Sequence, residues 1–194
     1  MINKLKIAIF EPSRTSEIGG GQKVTAEVAN YLSQKHYVEL FTQLPPNKSL
    51  NFGKTKISFI RPKNVFLSPI AFLLIKVKDF DIIISGEFPS NLVSIRNKPT
   101  INICCSPVRS FYDLRGYLIK KSNFTNMIKI IIKNVLFKKI DYIALQRTTK
   151  ILSISQNVKE RVKRYYKRNS YLFYAGINFN KYKFKSYSNY ILSV

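Results

Sequence analysis

Short apolar runs alternate with amphipathic segments along this chain of 194 residues. The first run, 7–10, is β-branched or aromatic at three of its four positions and is too short for a core helix. We therefore predict a strand that is buried on both faces. After a polar loop, apolar residues recur with the period of a helix. The stripe expected against the core consists of Val24, Val28, Ala29, Tyr31 and Leu32.

The rest of the chain repeats this alternation. Further strands are predicted at 37–42, 57–60, 82–84, 100–104, 151–154 and 171–174, and helices at 67–77, 88–95, 124–136 with a continuation over 141–147, and 155–166. Residues 105–123 are expected to form a polar, aromatic loop. The helix after this loop should carry an apolar stripe formed by Phe124, Met127, Ile128, Ile131, Val135 and Leu136. This alternation predicts an α/β fold in which helices cover both faces of a parallel sheet.

The length of the chain suits one domain with a good core, which we assign to residues 1–174. A polar, aromatic linker is expected over 175–189, and 190–194 has the pattern of one further strand. The N-terminal segment does not have the residue order of a signal peptide. The longest apolar runs are far shorter than the ~20 residues that span a bilayer. These features predict a cytoplasmic protein.

The loop between the first strand and the first helix contains Gly19, Gly20 and Gly21. A helix N-terminus has unpaired backbone N–H groups and a partial positive charge, and glycine allows a phosphate or a second domain to come close to the backbone. The triplet matches neither the dinucleotide fingerprint nor the P-loop spacing. A plain flexible connector therefore stays an alternative, although the length of the loop favours a functional role.

The net charge of +23 suggests a nucleic-acid partner at first. The basic residues are, however, mostly lysines spread along the chain, so we do not expect a nucleic-acid site. One cluster stands out, formed by Lys159, Arg161, Lys163, Arg164, Lys167 and Arg168. It is either a solvated helix face or a patch that faces an anionic membrane surface or an acidic partner.

The cysteine and histidine content predicts neither a metal site nor a cofactor. Cys104 and Cys105 are adjacent within an apolar run, so they form neither a disulfide framework nor a Cys/His metal site. The single histidine, His36, borders a predicted strand and is interpreted as a structural residue.

Four stretches together resemble the N-terminal, acceptor-side half of a family 4 glycosyltransferase of the GT-B type. Gly19-Gly20-Gly21-Gln22-Lys23-Val24 is similar to the family's G-G-x-E-R-V sequence, and Cys104 to Asp113 resembles C-H-[ST]-P-x-R-x-x-Y-D. Asp141, then Ser155 with Val158, then Tyr165-Tyr166 follow the pattern D, S-x-x-V, Y-Y. Gly176-Ile177-Asn178 with Tyr182 stands in the place of a G-V-D-x-x-x-F linker.

The resemblance implies a Rossmann-like fold and sugar transfer from a nucleoside diphosphate sugar to a lipid-linked or polysaccharide acceptor, without a metal ion. It places the backbone of the glycine triplet against the diphosphate. Arg109 would face an acceptor carboxylate, an acceptor phosphate or the leaving group, and the alternative is an ion pair with Asp113 that shapes the loop. Ser155 would lie on the same side, with a helix cap as its alternative.

Two departures from the family pattern change the expected activity. Cys105 occupies the catalytic position where the family has histidine, so the hydrogen bond of an imidazole is weakened or lost. Residues 190–194 look like the first strand of a donor domain, so the nucleotide site is expected to be missing. The chain would then be inactive by itself, or would be one subunit of a split enzyme whose partner chain supplies the donor half. A basic module for nucleic acid or a membrane surface is the alternative of another class.

Overall fold

The computed structural model describes residues 3–12, 19–62 and 67–176. Seven parallel strands form one sheet in the order β3-β2-β1-β4-β5-β6-β7. The strands are β1 Lys6–Glu11, β2 Tyr37–Thr42, β3 Lys56–Phe59, β4 Ile82–Ser85, β5 Thr100–Cys104, β6 Lys150–Ser153 and β7 Tyr171–Leu172. The helices are α1 Gly20–Ser33, α2 Ser68–Leu74, α3 Arg115–Lys121, α4 Phe124–Arg147 and α5 Gln156–Tyr166, with a 3-10 helix at Ser90–Ile95.

The predicted α/β, Rossmann-like fold is confirmed, and the first strand is buried on both faces. Ile7 and Ile9 of β1 pack on the side of the sheet that α1 covers. Ala8 and Phe10 pack on the other side, in a core to which α2, α4, α5 and the 3-10 helix contribute. Alternate side chains of β1 therefore hold two helical layers to the sheet.

Helix α1 packs the predicted stripe against the sheet at Val24, Val28, Ala29 and Leu32, but not at Tyr31. Its buried residues are Thr25, Ala26, Ala29 and Ser33, whereas Tyr31 is 65% exposed. The prediction for Tyr31 was wrong because small side chains at 26, 29 and 33 form the contact with the sheet, and these let the helix lie close to the strands.

The region after β5 differs most from the prediction. Helix α3 lies inside the segment expected to be a loop, whereas the predicted continuation of the following helix over 141–147 is confirmed by α4, one helix of 24 residues. The buried residues of α4 are Asn134, Asp141, Ala144 and Leu145. The predicted apolar stripe faces away from the core: Phe124, Ile128, Ile131, Val135 and Leu136 are exposed.

Two smaller differences concern helix type and length. The segment predicted as a helix over 88–95 is a 3-10 helix that starts at Ser90, and α2 ends at Leu74 instead of 77. Within the described ranges, no helix is both long and apolar enough to cross a bilayer. The predicted linker from 177 onward and the strand at 190–194 lie outside the described residues.

Candidate functional site

The strand order reverses between β1 and β4, which opens a crevice at the carboxyl ends of these two strands. Glu11 is the last residue of β1, and Gly86 and Glu87 follow β4. The Glu11 carboxylate accepts a hydrogen bond of 2.6 Å from Oγ1 of Thr25 in α1. A Cβ at Gly86 would lie 3.5 Å from that carboxylate, so the two strand ends are in close contact here.

The glycine triplet forms the start of α1 at this crevice. Gly19 is the N-cap residue, and its N–H donates a 3.1 Å hydrogen bond to the side-chain oxygen of Gln22. The first turn contains no acidic residue, so no side-chain charge in that turn offsets the positive end of the helix dipole. Among the described residues, no atom would lie within 4 Å of a Cβ at Gly19 or Gly20, which leaves space for an anion beside the start of α1.

Cys105 lies beside the glycine triplet. A Cβ added at Gly21 would lie 3.8 Å from the Sγ of Cys105. The structure thus joins the first two stretches of the family resemblance. Burial raises the pKa of the Cys105 thiol to about 11, with the carboxylates of Glu87 and Glu11 adding to the shift. The thiol is therefore protonated near neutral pH and is a weak hydrogen-bond donor, not a nucleophile.

Arg161 of α5 holds the loop that follows β5. One terminal nitrogen donates to Oγ of Ser106 at 2.9 Å, and the other donates to the Asp113 carboxylate at 2.9 Å. Nε of Arg109 donates to the second carboxylate oxygen of Asp113 at 3.3 Å. The ion pair that was the alternative role for Arg109 is thus present, and the Arg109 side chain is still 55% exposed.

A cavity of about 290 Å³ lies between this loop and α4. Its polar lining comes from Glu87, Ser106, Arg109, Ser110 and Lys133, and Phe88 and Phe111 contribute apolar walls. Two cations, a carboxylate and two serines in one small cavity can bind a phosphate together with neighbouring hydroxyl groups.

Asp141 is fully buried in α4 behind this loop and accepts three hydrogen bonds. They come from Nδ2 of Asn91 at 2.7 Å and from the hydroxyls of Tyr166 at 2.8 Å and Tyr112 at 3.2 Å. Desolvation raises the pKa of Asp141 to about 6, although all three donors favour the charged form. This network joins the second and third stretches of the resemblance.

The remaining predicted site residues have intramolecular roles. Oγ of Ser155 accepts a hydrogen bond of 3.2 Å from the N–H of Val158, so Ser155 caps α5. Nδ1 of His36 accepts one of 3.3 Å from the N–H of Leu5, which fits a structural histidine. Neither side chain is among those that line the cavity.

The basic cluster of α5 is divided between interior and surface. Arg168 donates to the backbone carbonyls of Leu145, Gln146 and Thr148 near the C-terminus of α4, and Arg161 is engaged as described above. Lys159 is half-buried, while Lys163, Arg164 and Lys167 are exposed. Two of the six cations are therefore turned toward the protein.

The sequence interpretation missed Glu11, Glu87, Lys133 and Asn91. Glu11 and Glu87 stand at the carboxyl ends of two buried strands, and the rule that ligands bind at this edge of a parallel sheet could have identified them. Lys133 carried no signal, because it was placed off the apolar stripe of a helix whose orientation was unknown. Asn91 comes close to Asp141 only through the packing of the 3-10 helix on α4.

Across the described residues, no cluster of histidine, cysteine and acidic side chains could hold a metal ion. In comparisons with known proteins, no family model matches the chain and no curated protein matches it either.

Proposed function

We propose that this chain is the acceptor-side half of a GT-B glycosyltransferase of the family 4 type. Together with a donor half, it would transfer a sugar from a nucleoside diphosphate sugar to a lipid-linked or polysaccharide acceptor. The observation that carries the proposal is the convergence of the resembling stretches: Gly21 lies beside Cys105, and Tyr112 and Tyr166 both bind Asp141. Residues far apart in sequence thus come into contact.

The crevice supplies the electrostatics that such a transfer needs. As the acceptor oxygen bonds to the anomeric carbon, the bond to the diphosphate breaks, negative charge grows on the leaving group, and the leaving diphosphate takes up the proton of the acceptor hydroxyl. The N–H of Gly19 is already bonded to Gln22, so the backbone N–H of Gly20 and the positive end of the α1 dipole would stabilise that charge. Glu11 and Glu87 would accept hydrogen bonds from sugar or acceptor hydroxyls, in place of the family's histidine at position 105.

The acceptor would enter the cavity beside the β5 loop. Arg109 and Lys133 line it and would bind a phosphate or carboxylate of the acceptor. For a lipid-linked acceptor the protein would work in the cytoplasm on the inner membrane surface. The exposed cations Lys163, Arg164 and Lys167 would contribute to attraction by anionic lipid.

Calorimetry on the purified chain tests the acceptor-side assignment. The titrants are a panel of nucleoside diphosphate sugars, polyprenyl diphosphate sugars in detergent, and polysaccharide fragments. We expect measurable binding by an acceptor class and none by the nucleotide sugars. Arg109→Ala should weaken acceptor binding about tenfold, since it removes a charged hydrogen-bond donor. Arg61→Ala, which removes the same charge near the β3 end of the sheet, should not. Micromolar binding of a nucleotide sugar, or no binding of either acceptor class, would overturn the assignment.

A transfer assay tests the role of the crevice. The chain is combined with a donor half recovered by pull-down, and transfer of radiolabelled sugar to the acceptor is followed. Gly20→Asp places a carboxylate at the start of α1 and should reduce transfer at least about tenfold by repelling the diphosphate. Tyr31→Asp places the same charge on the exposed surface of α1, away from its first turn, and should leave transfer unchanged. Equal rates for the two variants would exclude α1 from diphosphate binding.

A further inference from the structure

Helix α4 exposes a continuous apolar surface, which we call the α4 apolar face. Exposure of its side chains ranges from 36% to 73%. The face consists of Phe124, Ile128, Ile131, Ile132, Val135 and Leu136. Its members recur at intervals of three and four residues, so they lie along one side of the helix, opposite the buried side. A contiguous apolar surface of this kind on a soluble domain marks an interaction site.

The surroundings of this face are strongly basic. Between residues 114 and 140 the chain contains no aspartate or glutamate. The same segment contains seven cations: Arg115, Lys120, Lys121, Lys129, Lys133, Lys138 and Lys139. Helix α3, which contributes three of them, has no buried residue, and its Tyr117 is 53% exposed. Nζ of Lys121 lies 5.1 Å from the centre of the Tyr117 ring.

We propose that α3 and the α4 apolar face form a docking surface for an anionic lipid bilayer. Isoleucine, leucine and phenylalanine side chains would enter the boundary between headgroups and acyl chains, and the flanking lysines would pair with lipid phosphates. Tyr117 suits the headgroup level, where amphipathic rings accumulate. The helix lies in the plane of the membrane and does not cross it, in agreement with the lack of a spanning helix in the described ranges.

The positive charge around the α4 apolar face favours an anionic membrane over two other possible partners for this face. A second copy of the chain would bring the same seven cations face to face, and like charges across an interface disfavour association. The segment 177–194 also contains lysines and no acidic residue, so it offers no charge complement either. An anionic bilayer supplies both the apolar depth and the opposite charge.

The proposed docking surface is close to the cavity of the candidate site. Nδ2 of Asn134 donates a 3.1 Å hydrogen bond to the carbonyl of Ser110 in the β5 loop, and Lys133 lines the cavity. Docking of α4 would therefore bring the cavity to the headgroup region. This inference builds on the membrane location given in the proposed function. Vesicle binding does not depend on sugar transfer, so each of the two proposals can fail without the other.

Vesicle co-sedimentation of the full chain tests the docking surface. We expect binding to phosphatidylcholine vesicles that contain about one third phosphatidylglycerol, and weaker binding without the anionic lipid or at high salt. The triple variant Ile128→Gln, Ile132→Gln, Val135→Gln should lower partitioning at least about tenfold, because it removes apolar surface that enters the bilayer. The matched control Phe59→Gln, Ile70→Gln, Leu74→Gln alters exposed apolar residues of β3 and α2 and should bind as the unmodified chain does.

Tryptophan fluorescence gives a second measurement. The chain contains no tryptophan, so a single introduced tryptophan reports on its own surroundings. The emission of Val135→Trp should shift to the blue on anionic vesicles, while that of Tyr31→Trp, on exposed α1 surface, should stay unchanged. Equal vesicle binding by the two triple variants would overturn the proposal, as would a shift for Tyr31→Trp alone. A change of oligomeric state in the α4 variant without a change in vesicle binding would assign the face to a second copy. Sugar transfer that fails while vesicle binding persists would refute only the proposed function.

Discussion

The hydroxyl of Tyr166 in α5 donates a hydrogen bond of 2.8 Å to the buried carboxylate of Asp141 in α4. The same carboxylate oxygen also accepts from Tyr112 in the β5 loop at 3.2 Å, and the other oxygen accepts from Asn91 at 2.7 Å. One carboxylate thus connects four separate segments of the chain beneath the candidate site. Its charge state should therefore affect both stability and loop position.

The first prediction concerns Asp141→Asn and the pH dependence of folding. Burial raises the pKa of Asp141 from 3.8 to about 6, so the folded state binds this proton more tightly than the unfolded state. The stability of the unmodified protein should fall as pH rises from about 4 to about 6, by up to about 3 kcal/mol relative to the variant, which cannot ionise. Urea denaturation of both proteins across this pH range measures the difference.

The sign of that pH dependence is the decisive result. If the three hydrogen bonds outweighed desolvation, the pKa would lie below its ordinary value, and stability relative to the variant would rise with pH instead. A difference between the two proteins that does not vary with pH would mean that Asp141 does not titrate in this range. Near-ultraviolet circular dichroism checks that the variant keeps the native packing.

The second prediction concerns Tyr166→Phe. The ring is 2% exposed and keeps its packing, but the Asp141 carboxylate loses one of its three donors. We expect a loss of about 1 to 3 kcal/mol in unfolding free energy at neutral pH, the cost of leaving a buried charged group short of a partner. At low pH the carboxyl is protonated and needs fewer donors, so the loss should be smaller.

Tyr31→Phe is the matched control for this experiment. It removes the same hydroxyl from a side chain that is 65% exposed, and its effect should stay within about 0.5 kcal/mol. Equal effects of the two substitutions would show that the hydroxyl of Tyr166 contributes nothing special to the network.

These residues also show how far the sequence could be interpreted. Periodicity alone predicted β2 and β5 with their observed bounds, because a parallel strand buried on both faces is a short, nearly continuous apolar run. It also predicted an apolar stripe on α4. The spacing of apolar residues shows that a helix has an apolar stripe, but not which surface covers that stripe. In α4 the side that contains Asp141 packs on the core, and the apolar stripe is exposed.

The sequence predicted individual residues of the candidate site but not their arrangement in space. The family resemblance identified Cys105, Arg109 and the glycine triplet as separate motifs. Their proximity depends on the strand order, which brings the ends of β1, β4 and β5 to one edge. Contacts such as Arg161 with Asp113 join positions 48 residues apart, and no local pattern encodes them.

The third prediction concerns Arg161→Lys and the β5 loop. The guanidinium binds Ser106 and Asp113 at the same time, and a lysine amine cannot reproduce this two-pronged geometry. We expect the backbone amides of 106–113 to exchange hydrogen about tenfold faster, equivalent to about 1.4 kcal/mol of lost local stability. Arg164→Lys makes the same change on an exposed position of α5 and should leave the loop unchanged. If exchange in 106–113 were the same in both variants, Arg161 would not be the residue that orders this loop.

The fourth prediction contrasts two glycines, Gly53→Ala and Gly21→Ala. Gly53 has φ +61°, and a Cβ there would lie 2.6 Å from Oγ of Ser33 and 3.2 Å from Cα of Asn30. The alanine is strained by the backbone and blocked by α1, so we expect a loss of about 2 kcal/mol or more. At Gly21 the nearest atom would be Sγ of Cys105 at 3.8 Å, an ordinary contact, and φ is not in the left-handed region. Alanine inside α1 should therefore stabilise the protein by up to about 1 kcal/mol.

Thermal denaturation of the two glycine variants supplies the measurement, and the transfer assay with the donor half adds a second one. Alanine at 21 keeps the backbone N–H at the start of α1, so a diphosphate held there through the backbone should allow Gly21→Ala to transfer sugar as fast as the unmodified protein. A stabilised variant that no longer transfers sugar would mean that the reaction needs the space of the missing side chain next to Cys105, and not the helix terminus alone. Equal destabilisation by both alanines would contradict the contact geometry around α1 on which this prediction rests.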